Sequence, residues 1–136
     1  MFMAMHMLHG AVTLYILYIC RAHLVSDATS AEATTPIKIN QDANIFVAEV
    51  SPGHSVAYSL KSGRQAYLLC MEGDAVITGD HGVEETLARH DAAEIFGKND
   101  FSIRPGGLQS EASVASSPLH VLLVEMAFSG IGRSDL

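Results

Sequence analysis

The sequence predicts an all-β fold: a single, mostly antiparallel β-barrel carrying a short hydrophobic segment at its N-terminus. Two observations carry that expectation. Short apolar runs recur along residues 37–127, each closed by a turn signal such as Ser51-Pro52-Gly53, Lys61-Ser62-Gly63 or Glu72-Gly73-Asp74. Between them no stretch shows the 3.6-residue period of an amphipathic helix, and short strands at this spacing belong to sandwiches and barrels.

The elements come in order along the chain. Residues 1–21 form an uncharged leader up to Arg21, where any helix is expected, and residues 22–36 read as a linker that is small and polar from Ser26 to Pro36. The strand domain spans 37–127. Ile45 to Val50 alternates with period two, as do Val56, Tyr58 and Leu60 among smaller residues. The run from Gln65 to Met71 is nearly all apolar, which predicts a central strand buried on both faces. Next come Ala75 to Thr78, Ala92 to Phe96 and Phe101 to Arg104, the last closed by Pro105-Gly106-Gly107. A Ser- and Ala-rich loop leads to a final strong strand, Leu119 to Ala127, and residues 128–136 read as a tail.

Composition excludes several function classes. Hydrophobic residues make up 49% of the chain, enough for a core. Fifteen acidic against eight basic residues leave a formal charge of −7, and the basic residues are scattered singly. Nucleic-acid binding needs clustered positive charge, so no nucleic-acid partner is expected. Cys20 and Cys70 are the only cysteines and form no CxxC, so two unpaired thiols in a reducing, cytoplasmic compartment are expected. Gly53-His54-Ser55 lacks the second glycine of a nucleophile elbow, since Ala57 stands there, and there is no phosphate-binding glycine loop.

The first twenty residues contain no Asp, Glu, Lys or Arg. About 20 apolar residues would span a membrane, but His6, His9 and Gly10 leave only Ala11 to Cys20 unbroken. No basic residue precedes that run, as a signal peptide would require. The leader is therefore expected to pack on the domain or to be the remnant of a larger missing one. A membrane anchor or secretory signal is the alternative.

The runs Asn40 to Val47, Gly63 to Gly73, His90 to Gly97 and Leu122 to Met126 together resemble the C-terminal cupin domain of the pirin-like, quercetinase-type bicupins. The resemblance begins near Ala22, in a segment similar to the linker between that family's two cupins. It implies a jelly-roll-like cupin barrel whose N-terminal companion, the half that usually holds the divalent metal, is missing. It also implies docking to another cupin domain or self-association. With Gly73 taken as the glycine that closes the family's metal motif, Gln65 stands at the glutamate position and Ser59 and Lys61 near the two histidines. None of these is a good metal ligand. His54, Glu94 and His120 could supply a site only by converging from separate strands. The expected role is thus a non-catalytic cupin module without a cofactor of its own, the structural or docking half of a bicupin. The rival readings are a metal-dependent flavonol dioxygenase and a small-molecule-binding barrel with Tyr58, Gln65, Tyr67 and Glu94 lining its mouth.

Overall fold

The computed structural model describes residues 4–8, 11–15, 19–107 and 118–128. The expected loop over 108–117 and the tail after Phe128 lie outside the described residues. Among the described residues twelve strands succeed one another in chain order: β1 (Ala4–Leu8), β2 (Ala11–Tyr15), β3 (Ile19–Asp27), β4 (Ile37–Ile39), β5 (Ala43–Val50) and β6 (Val56–Leu60). They continue as β7 (Arg64–Glu72), β8 (Ala75–Thr78), β9 (Glu84–Leu87), β10 (Ala92–Phe96), β11 (Asn99–Pro105) and β12 (Leu119–Ala127).

Ten of these strands, β3 to β12, form two open layers, which corrects the expected barrel. A six-stranded sheet runs β10-β7-β12-β5-β3-β4 and a four-stranded sheet runs β6-β11-β8-β9. A barrel needs a hydrogen-bond ladder that returns to its first strand. Here the ladders end at β10 and β4 in one sheet and at β6 and β9 in the other. The chain crosses between layers at tight turns instead: Gly63 (φ 75°) stands between β6 and β7, and Gly97 (φ 71°) between β10 and β11. That left-handed backbone favours glycine, which has no Cβ to clash.

The leader is also corrected. Instead of a helix, β1 and β2 pair as an antiparallel hairpin, with Ala4 opposite Tyr15 and Leu8 opposite Ala11. The run of Val12, Thr13 and Tyr15 suits a strand better than a helix. No helix among the described residues is long and apolar enough to cross a membrane. Residues 22–27 of the expected linker lie in β3, which pairs with β5. The loop between β3 and β4 is fastened by Lys38, whose ammonium donates to Ser26 Oγ (2.9 Å), Ser30 O (3.0 Å) and Ala33 O (2.6 Å). Fully buried Ser26 passes the chain on to Thr35 Oγ1 (2.8 Å), which in turn donates to Ile37 O.

The core lies between the two sheets. Val50, Leu68, Cys70, Leu119, Val121 and Leu123 contribute from the six-stranded sheet, and Leu60, Ala75, Ile77, Phe101 and Ile103 from the other. β7 is central, between β10 and β12, but it is buried on one face only. Ala66, Leu68 and Cys70 point inward, whereas Tyr67 is 47% exposed and Leu69 only partly buried. In an antiparallel sheet alternate side chains face opposite ways, and this sheet has a described layer on one side only. The apolar run of β7 thus serves two different surfaces.

Candidate functional site

The most concentrated polar chemistry lies inside the sandwich at one end, around Glu125. β12 is otherwise apolar on its inner face, and there Glu125 is 8% exposed. Its Oε1 accepts from Arg64 Nε at 2.9 Å. Its Oε2 accepts from Tyr58 OH at 2.9 Å and from Asn44 Nδ2 at 3.2 Å. Register explains the meeting. Asn44 on β5 and Ala66 on β7 lie directly opposite Glu125 on either side, while Tyr58 reaches across from β6 in the facing sheet. Arg64 also holds both oxygens of Asp42 through Nη1, each at 2.7 Å. His23 Nε2 and Asn44 Oδ1 lie 3.0 Å apart, extending the network to β3.

The hydrogen bonds set the electrostatics of the cluster. Burial, then the bond to the Glu125 carboxylate, pushes the Tyr58 phenol well above its usual pKa and keeps it a neutral donor. Glu125 has a partner on each oxygen and could act as a base only after releasing Arg64 or Tyr58. Aromatic rings continue the cluster through the layers: His23 stacks on Phe46 at 4.2 Å, Phe46 meets Tyr58 edge-on at 5.4 Å, and Tyr58 leans on Phe101 at 5.6 Å. Open clefts of about 460 and 640 Å³ flank Tyr58 on its polar and aromatic sides.

The expected mouth residues are split by the sheet. Tyr58 faces inward, toward Glu125. Gln65, Tyr67 and Glu94 lie together on the outer face of the six-stranded sheet. Glu94 is opposite Tyr67 in the β10–β7 pairing, and their hydrogen bond raises the Tyr67 phenol. Gln65 Nε2 reaches Ala127 O at 3.4 Å. The positions expected for metal ligands do not converge either. Ser59 is on the exposed side of β6, bonded to Asp100 Oδ1, Lys61 is in the turn after β6, and Gln65 faces outward. The neighbours that do point inward are Tyr58, Leu60 and Ala66, a set with no imidazole or carboxylate. His54, Glu94 and His120 stay apart: His54 Nδ1 lies 3.2 Å from Pro52 O, and His120 lies between Glu49 (3.7 Å) and Glu72 (3.8 Å). Among the described residues no three His, Cys, Asp or Glu side chains are grouped to hold a metal. Cys20 and Cys70 are both free thiols, and burial pushes the Cys70 thiol up.

Sequence reasoning alone missed Glu125, Asn44, Arg64 and His23. One signal was available: a lone carboxylate in the apolar run Leu119 to Ala127 must find buried partners or face solvent.

Solved structures share this fold. The cupin domain of an XRE family transcriptional regulator from Enterobacter cloacae superposes with a TM-score of 0.58 at 13% identity, over 82% of this chain and 99% of that one. The Cnp3 cupin domain of Schizosaccharomyces pombe gives 0.57 at 9% identity, over 93% and 87%. YhaK from Escherichia coli gives 0.57 at 22% identity; there the match takes in 79% of this chain and only 41% of YhaK. Identities this low establish the fold alone. No curated protein matches the sequence. The family model for the quercetinase C-terminal cupin domain matches residues 25–126, and the chain belongs to that family.

Proposed function

We propose that this chain is a non-catalytic cupin module that docks, through the outer face of its six-stranded sheet, on a second cupin domain. The observation that carries this reading is the make-up of that face. Ile45 and Val47 on β5, Leu122, Val124 and Met126 on β12, and Leu69 on β7 all point away from the core. Tyr67 and Phe96, 47% and 43% exposed, extend the surface toward β10. No layer of the described strands covers it. Soluble monomers seldom expose contiguous apolar patches larger than a few hundred Å². Sheet-on-sheet packing is the natural use of such a surface, with side chains interdigitating about 10 Å from sheet to sheet.

The inward residues fit the same role. Leu60 and Ala66 fill space from which a catalytic cupin would present ligands, and the one buried carboxylate among the described residues, Glu125, is committed to Arg64 and Tyr58. This module therefore needs no metal of its own. The test is light scattering on the full chain from ~1 to ~100 µM, beside Val124→Arg on the outer face, a range that fills interfaces of modest affinity. Wild type is expected to self-associate through this face, and the variant to stay monomeric and folded. A monomeric wild type throughout overturns docking through this face. A stoichiometric metal, or oxygen uptake with quercetin, would favour the dioxygenase reading instead.

A further inference from the structure

We propose that docking of a second copy of the chain on the outer face of the six-stranded sheet is switched by pH: tight when His120 is protonated, loose when it is neutral. The switch rests on the docking role of that face and adds its control. Register builds it. His120 opens the outward row of β12, followed by Leu122, Val124 and Met126, whereas Leu119, Val121 and Leu123 are buried. Across from it stand Glu49 on β5 and Glu72 on β7, with Cys20 on β3 beyond Glu49. The imidazole therefore sits between two carboxylates, Nε2 3.7 Å from Glu49 Oε2 and Nδ1 3.8 Å from Glu72 Oε2. A neutral imidazole has one N–H and turns a lone pair on the second carboxylate; only imidazolium presents a donor to both.

The rest of the face leaves the decision to this row. Its other charged group is Glu94, bonded to Tyr67 toward β10. Arg64 is the only Lys or Arg on β5, β7, β10 and β12, and it turns inward to Glu125. Positive charge on these strands' outer side therefore comes from His120. Four strands ~4.8 Å apart and about eight residues long give a face of roughly 19 by 27 Å. Two copies docked through it bury about 1,000 Å² in all, near the lower limit for a specific interface. An interface that small is sensitive to charge. With His120 neutral, each copy brings Glu49 and Glu72 into a drying interface without a cation between them, and both desolvation and like-charge repulsion oppose docking. Protonation halves the negative charge of the row. The docked state thus binds protons more tightly than the free one, so docking is strong in acid and is lost as pH rises through the range where histidines titrate.

The test is sedimentation velocity on the full chain from about pH 5.5 to about pH 8, spanning histidine titration. Wild type is expected to self-associate at least about tenfold more tightly at the acid end. His120→Gln, neutral throughout, should stay at the weak alkaline level at every pH. Glu49→Gln combined with Glu72→Gln removes the opposed carboxylates and should associate tightly at both ends. The three side chains are 34%, 33% and 59% exposed, so these variants are expected to fold, which thermal melts check. Equal wild-type association at both ends, with Val124→Arg still monomeric, would overturn the switch and leave docking standing. A wild type that is monomeric at every pH would overturn both. A pH dependence unchanged in His120→Gln would assign it to another group and overturn the switch alone.

Discussion

Leu68 and Leu69 are neighbours of identical chemistry on β7, and the structure predicts that they respond very differently to truncation. Leu68 is fully buried between the layers, opposite Leu123 on β12 and Ala93 on β10. Replacing it with Ala removes three buried carbons, about 2.4 kcal/mol at ~0.8 kcal/mol each. The cavity left in a packed core raises the loss to about 3–4 kcal/mol. Against a total stability of roughly 5–15 kcal/mol that is a large fraction, equivalent to a fall in Tm of roughly 10 °C. Leu69 is only partly buried on the outer face, so Leu69→Ala should cost about 1 kcal/mol or less. Urea unfolding at low micromolar concentration, below self-association, measures both, and the m-values should match wild type. Equal losses for the two variants would mean that β7 is covered on both sides after all, and the one-faced assignment would fall.

Glu125→Ala should cost about 3–5 kcal/mol, because Arg64 loses its buried partner; Tyr58→Phe removes one hydrogen bond and should cost about 1 kcal/mol, both read by chemical denaturation. The raised Tyr58 phenol gives a pH signature. Its contribution is fully present below the tyrosine's usual pKa near 10 and is lost as pH rises above it, so wild type should lose stability in alkali more steeply than Tyr58→Phe. Lys38→Met should open the loop from Ala28 to Pro36 by removing three donated bonds, seen as faster amide exchange and proteolysis there with little change in the core. His90 holds φ at 73°, a left-handed conformation unfavourable for a residue with a Cβ, so His90→Gly should leave stability unchanged or raise it by up to ~1 kcal/mol in thermal melts.

Strand existence was legible in the sequence because turn chemistry is local. Gly53, Gly63, Gly73 and Gly97 all adopt positive φ at the turns where the sequence suggested them. Closure was not legible, because it depends on whether edge strands such as β6 and β10 find partners, and a one-dimensional pattern does not show edges. The leader was misread for a related reason. An uncharged run without clear periodicity gives only the weak strand preference of Val12, Thr13 and Tyr15, and the pairing of Ala4–Leu8 with Ala11–Tyr15 decides the matter.

The site was harder to read because side chains in a strand alternate, so a shift of one residue changes the face. The ligand positions inferred from the spacing to Gly73 were Ser59, Lys61 and Gln65. Ser59 and Gln65 turn out to face away from the interior, while Tyr58, Leu60 and Ala66, each within one residue of an inferred position, face into it. The spacing to Gly73 therefore picked the wrong face of β6 and β7, and the inward set differs from the inferred one in every residue type. The same alternation separates Tyr58 from Gln65, Tyr67 and Glu94. Charge in an apolar run was the better guide: Glu125 within Leu119 to Ala127 could be buried only with a cation and donors around it. Arg64, Tyr58 and Asn44 come from three different strands to meet it. Sequence separations of 61 to 81 residues link them to Glu125, so no local motif announces them. Only the register of β5, β7 and β12, with β6 facing them, brings the network together.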